Sequence, residues 1–138
     1  MGVINNRRYR VNDIRRGDII YAVLNGAAGS SVQKGERPCL VLSNNKSNQY
    51  STILNVYPLT RKIKHNPVHV IVNPEDVAGY LPCESDFLGE QPTTIGRNQV
   101  TSKVGHIDED SELMKLCEES IAKQFAFRFV GKEEHGNG

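Results

Sequence analysis

The stretch Gly35-Glu36-Arg37-Pro38-Cys39-Leu40-Val41-Leu42 sets a turn, an Arg-Pro pair and an apolar run in immediate succession. Pro38 fixes φ and lacks an N–H, which suits the first residue of a strand and not its middle. Leu40, Val41 and Leu42 then read as a strand buried on both faces, because no polar residue alternates with them. Arg37 falls at the lip where loop enters sheet, with its guanidinium able to leave the core. A planar, permanently charged group with five donors suits a phosphate there. An ion pair with Glu36 or another surface acid is the other reading of the same residue.

The remaining apolar runs are equally short. Residues 19–24, 51–59 and 68–72 read as strands from their β-branched and aromatic members, and residues 87–91 as a short extended piece. Pro58 points to an edge or strand-end position. Between them lie a loop at 25–36 rich in Gly, Ala and Ser, a turn at 43–48, and the basic loop Arg61-Lys62-Ile63-Lys64-His65-Asn66. No glycine of the first loop leads into Gly-Lys-Ser/Thr, which excludes a phosphate-binding P-loop. Residues 94–104 alternate poorly and fit one helical turn near Arg97. A helix stands last: Leu113, Leu116, Cys117, Ile121 and Phe125 form one apolar stripe at helical spacing. Asp108, Glu109, Asp110 and Glu112 at its start cap free N–H groups and face the positive dipole end, which accounts for an acid cluster that otherwise suggests a metal. Short strands followed by one amphipathic helix predict a mainly β domain, a small curled antiparallel barrel with the helix packed on it.

At 138 residues the chain suits one domain with a real core. Residues 1–14 read as a basic arm, 15–130 as the domain and 131–138 as a polar tail. Trp is absent and aromatics make up 7%, which argues against a stacking platform for single strands. The net charge of +1 is too small for a general polyanion binder. Arg7, Arg8, Arg10, Arg15 and Arg16 crowd one end while acids gather near 108–119, so any nucleic-acid site must be a local patch. Cys39, Cys83 and Cys117 are odd in number and lack zinc or redox spacing, which makes them buried thiols of a reducing compartment. No secretory h-region and no apolar run near the ~20 residues of a membrane helix are present. The expectation is a cytoplasmic protein without membrane contact.

Seven short motifs, taken in order, resemble the MazF/PemK family of toxin endoribonucleases. They are Arg16-Gly17-Asp18-Ile19-Ile20-Tyr21, Gly35-Glu36-Arg37-Pro38 with its apolar run, Asn48-Gln49-Tyr50-Ser51, Pro58-Leu59-Thr60, Pro67-Val68-His69-Val70, Glu90-Gln91 with Ile95, and Val104-Gly105-His106-Ile107-Asp108. The resemblance spans roughly residues 15–125. It implies an SH3-like barrel that dimerises, cuts single-stranded RNA at short sequences without a metal or other cofactor, and is silenced by a cognate antitoxin whose disordered segment wraps the active groove. It matches the family's catalytic pair to Arg37 and Thr60, and it places Ser31, Gln33, Arg61, Lys62, His69 and Gln91 on the RNA-binding surface. Many relatives carry Asp where Val23 stands and Arg where Thr93 stands. The loop at 25–35 is one residue longer and that at 61–66 one shorter, so the cleavage sequence does not transfer.

These residue types fit the implied chemistry. Attack of an RNA 2′-OH on its own phosphorus needs charge stabilisation and proton handling but no protein nucleophile. Arg supplies paired donors, and Thr, fixed at χ1 by its β-branch, supplies one oriented hydroxyl. Two other classes stand beside this reading. One is a gyrase poison of the CcdB type, which depends on a terminal Trp-Gly-Ile that this chain lacks. The other is a catalytically silent SH3-like binding module, against which the Arg37/Thr60 pair argues.

Overall fold

The computed structural model describes residues 13–64, 66 and 69–128. Eight antiparallel strands make up the sheet: β1 (Asp18–Asn25), β2 (Lys34–Val41), β3 (Ile53–Thr60), β4 (His69–Val72), β5 (Ala78–Gly79), β6 (Ser85–Leu88), β7 (Thr93–Gly96) and β8 (Val100–His106). A short helix α1 (Asn45–Tyr50) interrupts the first half, and α2 (Glu112–Phe125) ends the fold. The strand order is β4-β6-β3-β2-β1-β8-β5, with β7 also paired to β3. The mainly β, curled antiparallel architecture with a C-terminal helix is the one expected.

The unbroken apolar runs follow from a sheet that is covered on both faces. Ile19, Leu40, Tyr57 and Leu59 enter one core with Phe87, Met114 and Cys117, while their neighbours Ile20, Cys39, Val41 and Val56 enter a second with Leu54 and Ile95. Side chains of successive strand residues leave on opposite sides, so each run feeds both cores at once. Tyr57 and Phe87 pack with their rings tilted by 32° and centroids 5.3 Å apart, joining β3 to β6 within the first core. Burial pushes the Cys39 and Cys117 thiols up to about 12, which leaves both as inert apolar groups.

Several local expectations need correction. Pro38 is the fifth residue of β2, not its first. It is tolerated because β2 pairs with β3 only from Cys39 onward, leaving the preceding residues an open edge. Pro58 lies where β3 leaves β7 and takes up β6, an edge-like gap of the same kind. The turn at 43–48 holds α1, started by Asn44 accepting from the Ser47 N–H at 2.8 Å. Residues 94–104 contain most of β7 and β8 around a single 3₁₀ turn at Arg97–Gln99. Ser111, not the acids before it, caps α2, accepting from the Met114 N–H at 3.1 Å.

The α2 stripe is rotated from the one expected. Met114 and Cys117 are fully buried, whereas Leu116 is 43% and Phe125 46% exposed. The buried face is centred on Met114, Cys117 and Ser120 with Leu113 and Ile121 at its flanks. Leu116 precedes Cys117 by about 100° of rotation and so turns outward. Arg16 fixes the helix to the sheet by pairing with Glu109 (3.1 Å) and Glu118 (2.8 Å) while its Nε donates to the Leu42 carbonyl. Ile14, assigned to the arm, is buried in the second core. The rest of the arm (1–12), the tail (131–138) and His65 lie outside the described residues.

Candidate active site

The open half of β2 creates the site. Past the Cys39–Pro58 pair the two strands separate, and a groove of about 580 Å³ lies between them. Continuing that register by two residues sets Arg37 opposite Thr60, and opposed residues send their side chains to the same face. Gly35, at φ +83°, bends the chain just before Glu36 and Arg37, a conformation that strains any residue with a Cβ.

Arg37 is exposed, and its Nε donates to the Lys34 carbonyl at 2.8 Å, which orients the guanidinium plane. Among the described residues it forms no ion pair with Glu36 or any other acid, so its terminal nitrogens are available to a ligand. The Thr60 hydroxyl oxygen accepts from the Lys62 N–H at 3.2 Å, which leaves its proton free to be donated. Arg61 and Lys62 border the same groove and make its rim positive.

A second depression of about 200 Å³ adjoins the first, sharing Gln33, Thr60 and Lys62 with it. Ser31, His69 and Gln91 line it, so all eight residues singled out from the sequence border these two connected spaces. Gln91 is a strap: its Oε1 accepts from the Gln33 N–H at 3.1 Å and its Nε2 donates to the Ser31 carbonyl at 3.2 Å. Both ends of that amide hold the β1–β2 loop in place.

His69 lies between two carboxylates. Its Nδ1 meets Asp86 at 2.9 Å and its Nε2 meets Glu90 at 2.8 Å, with the side chain only 5% exposed. Burial works to lower its pKa, but the hydrogen bond and charge of Glu90 and the charge of Asp86 outweigh that, so the imidazolium is favoured beyond its ordinary range. Asp86 Oδ2 also accepts from the Lys64 N–H, and Asp86 is the cross-strand partner of Thr60. The cluster thus braces the Thr60 end of the groove.

Four residues of the site carry no assignment from the sequence: Tyr21, Glu36, Asp86 and Glu90. Glu36 and Glu90 could have been found as the neighbours of Arg37 and Gln91, and Tyr21 as the last residue of the first family-like motif, whereas nothing in the sequence marks Asp86. Burial first, then the Tyr80, Cys83 and Glu36 groups, raise the Tyr21 phenol pKa, with Arg61 opposing. Among the described residues no group of three or more His, Cys, Asp or Glu side chains is arranged to hold a metal ion.

Comparison with known proteins follows the same outline. A family model described as the PemK-like, MazF-like toxin of type II toxin–antitoxin systems matches residues 15–125. Endoribonuclease EndoA of Bacillus subtilis is 32% identical over 110 residues, covering 78% of this chain and 90% of that protein. An endoribonuclease from a mycobacterial species superposes with a TM-score of 0.67 at 17% identity, covering 88% of this chain and 98% of its own. A structure of a mycobacterial endoribonuclease in complex with its cognate antitoxin gives 0.62 at 19% identity, covering 86% and 99%. At those identities the two structures speak for the fold.

Proposed function

From the premise that the chain belongs to the PemK-like, MazF-like toxins of type II toxin–antitoxin systems and is an endoribonuclease of that family, we propose that it cuts single-stranded RNA in the groove between Arg37 and Thr60. The observation that carries this is the pairing of an unneutralised guanidinium with a free hydroxyl proton across one open strand junction. In this reading the 2′-hydroxyl oxygen attacks the adjacent phosphorus as its proton passes to water, Arg37 and Thr60 donate to the phosphoryl oxygens as charge builds there, and the P–O5′ bond breaks with the leaving 5′-oxygen taking up a proton from water. The products carry 2′,3′-cyclic phosphate and 5′-hydroxyl ends. Charge stabilisation comes from the guanidinium, so no metal is required. Arg61, Lys62 and Lys64 hold the flanking backbone, with Gln33 beside them.

The same reading includes a two-fold homodimer acting in the cytosol and an acidic antitoxin segment that occupies the groove by pairing with Arg37, Arg61, Lys62 and Lys64. Among the described residues no helix is long and apolar enough to cross a membrane. The test is incubation of the purified protein with a long RNA and with its all-deoxy analogue, each with and without EDTA. Metal-independent cutting of the RNA alone, with cyclic phosphate ends, supports the mechanism. Cutting of the deoxy strand, or loss of activity to EDTA, overturns it.

A further inference from the structure

Nearly every charged group bordering the main groove suits a phosphate; Glu36 does not. It is exposed, follows the kink at Gly35 and lines the same groove as Arg37 and Thr60. Its Oε2 accepts from the Thr101 hydroxyl on β8, a bond that reaches over β1 to the strand beyond it. That anchor fixes the carboxylate without neutralising it, because Arg37 is turned to the Lys34 carbonyl. A fixed negative charge repels the RNA backbone, so a groove built for phosphates alone gains nothing from it.

The strand pattern separates this acid from the reacting centre. Glu36 pairs with Val23, Arg37 with Ala22 and Pro38 with Tyr21. Alternation therefore sends Glu36 out on the side of Tyr21 and away from the side that carries Arg37 and Thr60. Tyr21 borders the groove, and its phenol lies within the electrostatic reach of Glu36 and Arg61. A fixed acceptor beside an aromatic ring is the pairing that single-stranded RNA readers use, stacking a splayed base on the ring and hydrogen-bonding its edge.

We propose that Glu36, held by Thr101 and flanked by Tyr21, is a base-recognition subsite that selects a nucleobase presenting an amino group and discriminates against uracil. With Oε2 occupied, Oε1 is the free acceptor, and cytosine, adenine and guanine each offer an exocyclic amino donor to it. The single edge donor of uracil is flanked by two carbonyl oxygens that the carboxylate repels. Thr101 is a positioning residue in this scheme, since it touches the carboxylate and not the base. The inference rests on the RNA-cleavage reading of the Arg37–Thr60 groove.

The experiment is digestion of a randomised RNA pool by the parent protein and by Glu36→Gln, Glu36→Ala and Thr101→Val, with sequencing of the new ends. The best substrate and its uracil-substituted version are then compared by kcat/KM. The parent should show one position where uracil is excluded. Glu36→Gln, whose amide can present either a donor or an acceptor, should lower discrimination there by at least tenfold and leave the other positions unchanged. Thr101→Val should lower it partially, with the thermal melt of each variant confirming the fold. An unchanged base profile in all three variants overturns the subsite while leaving the cleavage reading intact. Absence of RNA cleavage by the parent protein overturns both.

Discussion

Arg37 and Thr60 stand two residues beyond the last paired positions of β2 and β3, where the Cys39–Pro58 register would set them face to face. The β2–β3 ladder stops short of them, while Arg37 stays paired to β1 and Thr60 to β6, and the two side chains that would have been cross-strand neighbours border an open groove instead. Their mutual position is set by a rigid ladder, while the space between them is free for a phosphodiester. For the cleavage proposed above, such placement would limit reorganisation, which is the condition under which fixed donors are most effective.

Removal of either donor should therefore act on turnover and not on folding. Arg37→Ala should lower kcat by about 10²–10³, the usual effect of deleting one donor aimed at developing charge. Arg37→Lys should recover little, since an ammonium keeps the charge and loses the planar fork. Thr60→Val keeps the β-branched shape and should cleave poorly with an unchanged melting temperature. Single-turnover rates on one defined RNA, alongside thermal melts, check all three; a Thr60→Val enzyme of parental rate would remove the hydroxyl from the mechanism.

His69 gives the fold a pH signature. Its pKa is raised in the native state above the ordinary 6.5, because Glu90 and Asp86 outweigh the burial that opposes them. The native state therefore holds its proton more tightly than the unfolded chain does. The resulting stabilisation is fully present below 6.5 and is lost as pH rises through the native pKa. The melting temperature of the parent should fall across that range relative to His69→Gln, which lacks the titration. Parallel melting curves for the two proteins from pH 6 to 9 would show that His69 is not linked to folding.

The strands that carry Arg37 and Thr60 are legible in the sequence because their apolar runs are too short for helices and end in Pro, Asn or Thr. The site residues are legible only through spacing shared with a family, since a lone Thr or Gln carries no chemical mark. What is hidden has physical reasons. Thr93-Thr94-Ile95-Gly96 holds one large apolar residue, and it becomes β7 because β3 offers its open edge. The 43–48 segment looks like a turn because Asn and Ser dominate it, yet Asn44 caps a helix whose buried Asn48 bonds back to Ser43. The α2 stripe was legible as a stripe but not in its rotation, because Leu113 and Leu116 read alike while only Leu113 faces the sheet.

That rotation is itself testable. Met114 is wholly buried in the core beneath α2, and Leu116 is largely outside it. Met114→Ala should destabilise by about 2–5 kcal/mol, the range for truncating a buried large side chain. Leu116→Ala should stay within about 0.5 kcal/mol, as surface changes do. Urea titrations of both variants decide the matter, and equal losses would place the buried face elsewhere.

The last prediction concerns the strap formed by Gln91. Its amide bonds two backbone groups, at Gln33 and Ser31, that lie 58 and 60 residues away in sequence. Each bond contributes on the order of 1 kcal/mol, which is small against global stability and large against the freedom of an exposed loop. Gln91→Ala should thus leave the melting temperature nearly unchanged while the loop bearing Ser31 and Gln33 moves more freely. Gln91→Glu keeps the acceptor for the Gln33 N–H, loses the donor, and sets a negative charge against the Ser31 carbonyl, so it should be intermediate. Amide hydrogen exchange at Gln33 should accelerate most in Gln91→Ala, with KM raised more than kcat is lowered. Exchange at Gln33 that matches the parent, together with a raised KM, would mean that Gln91 meets the RNA itself and does not act through the loop.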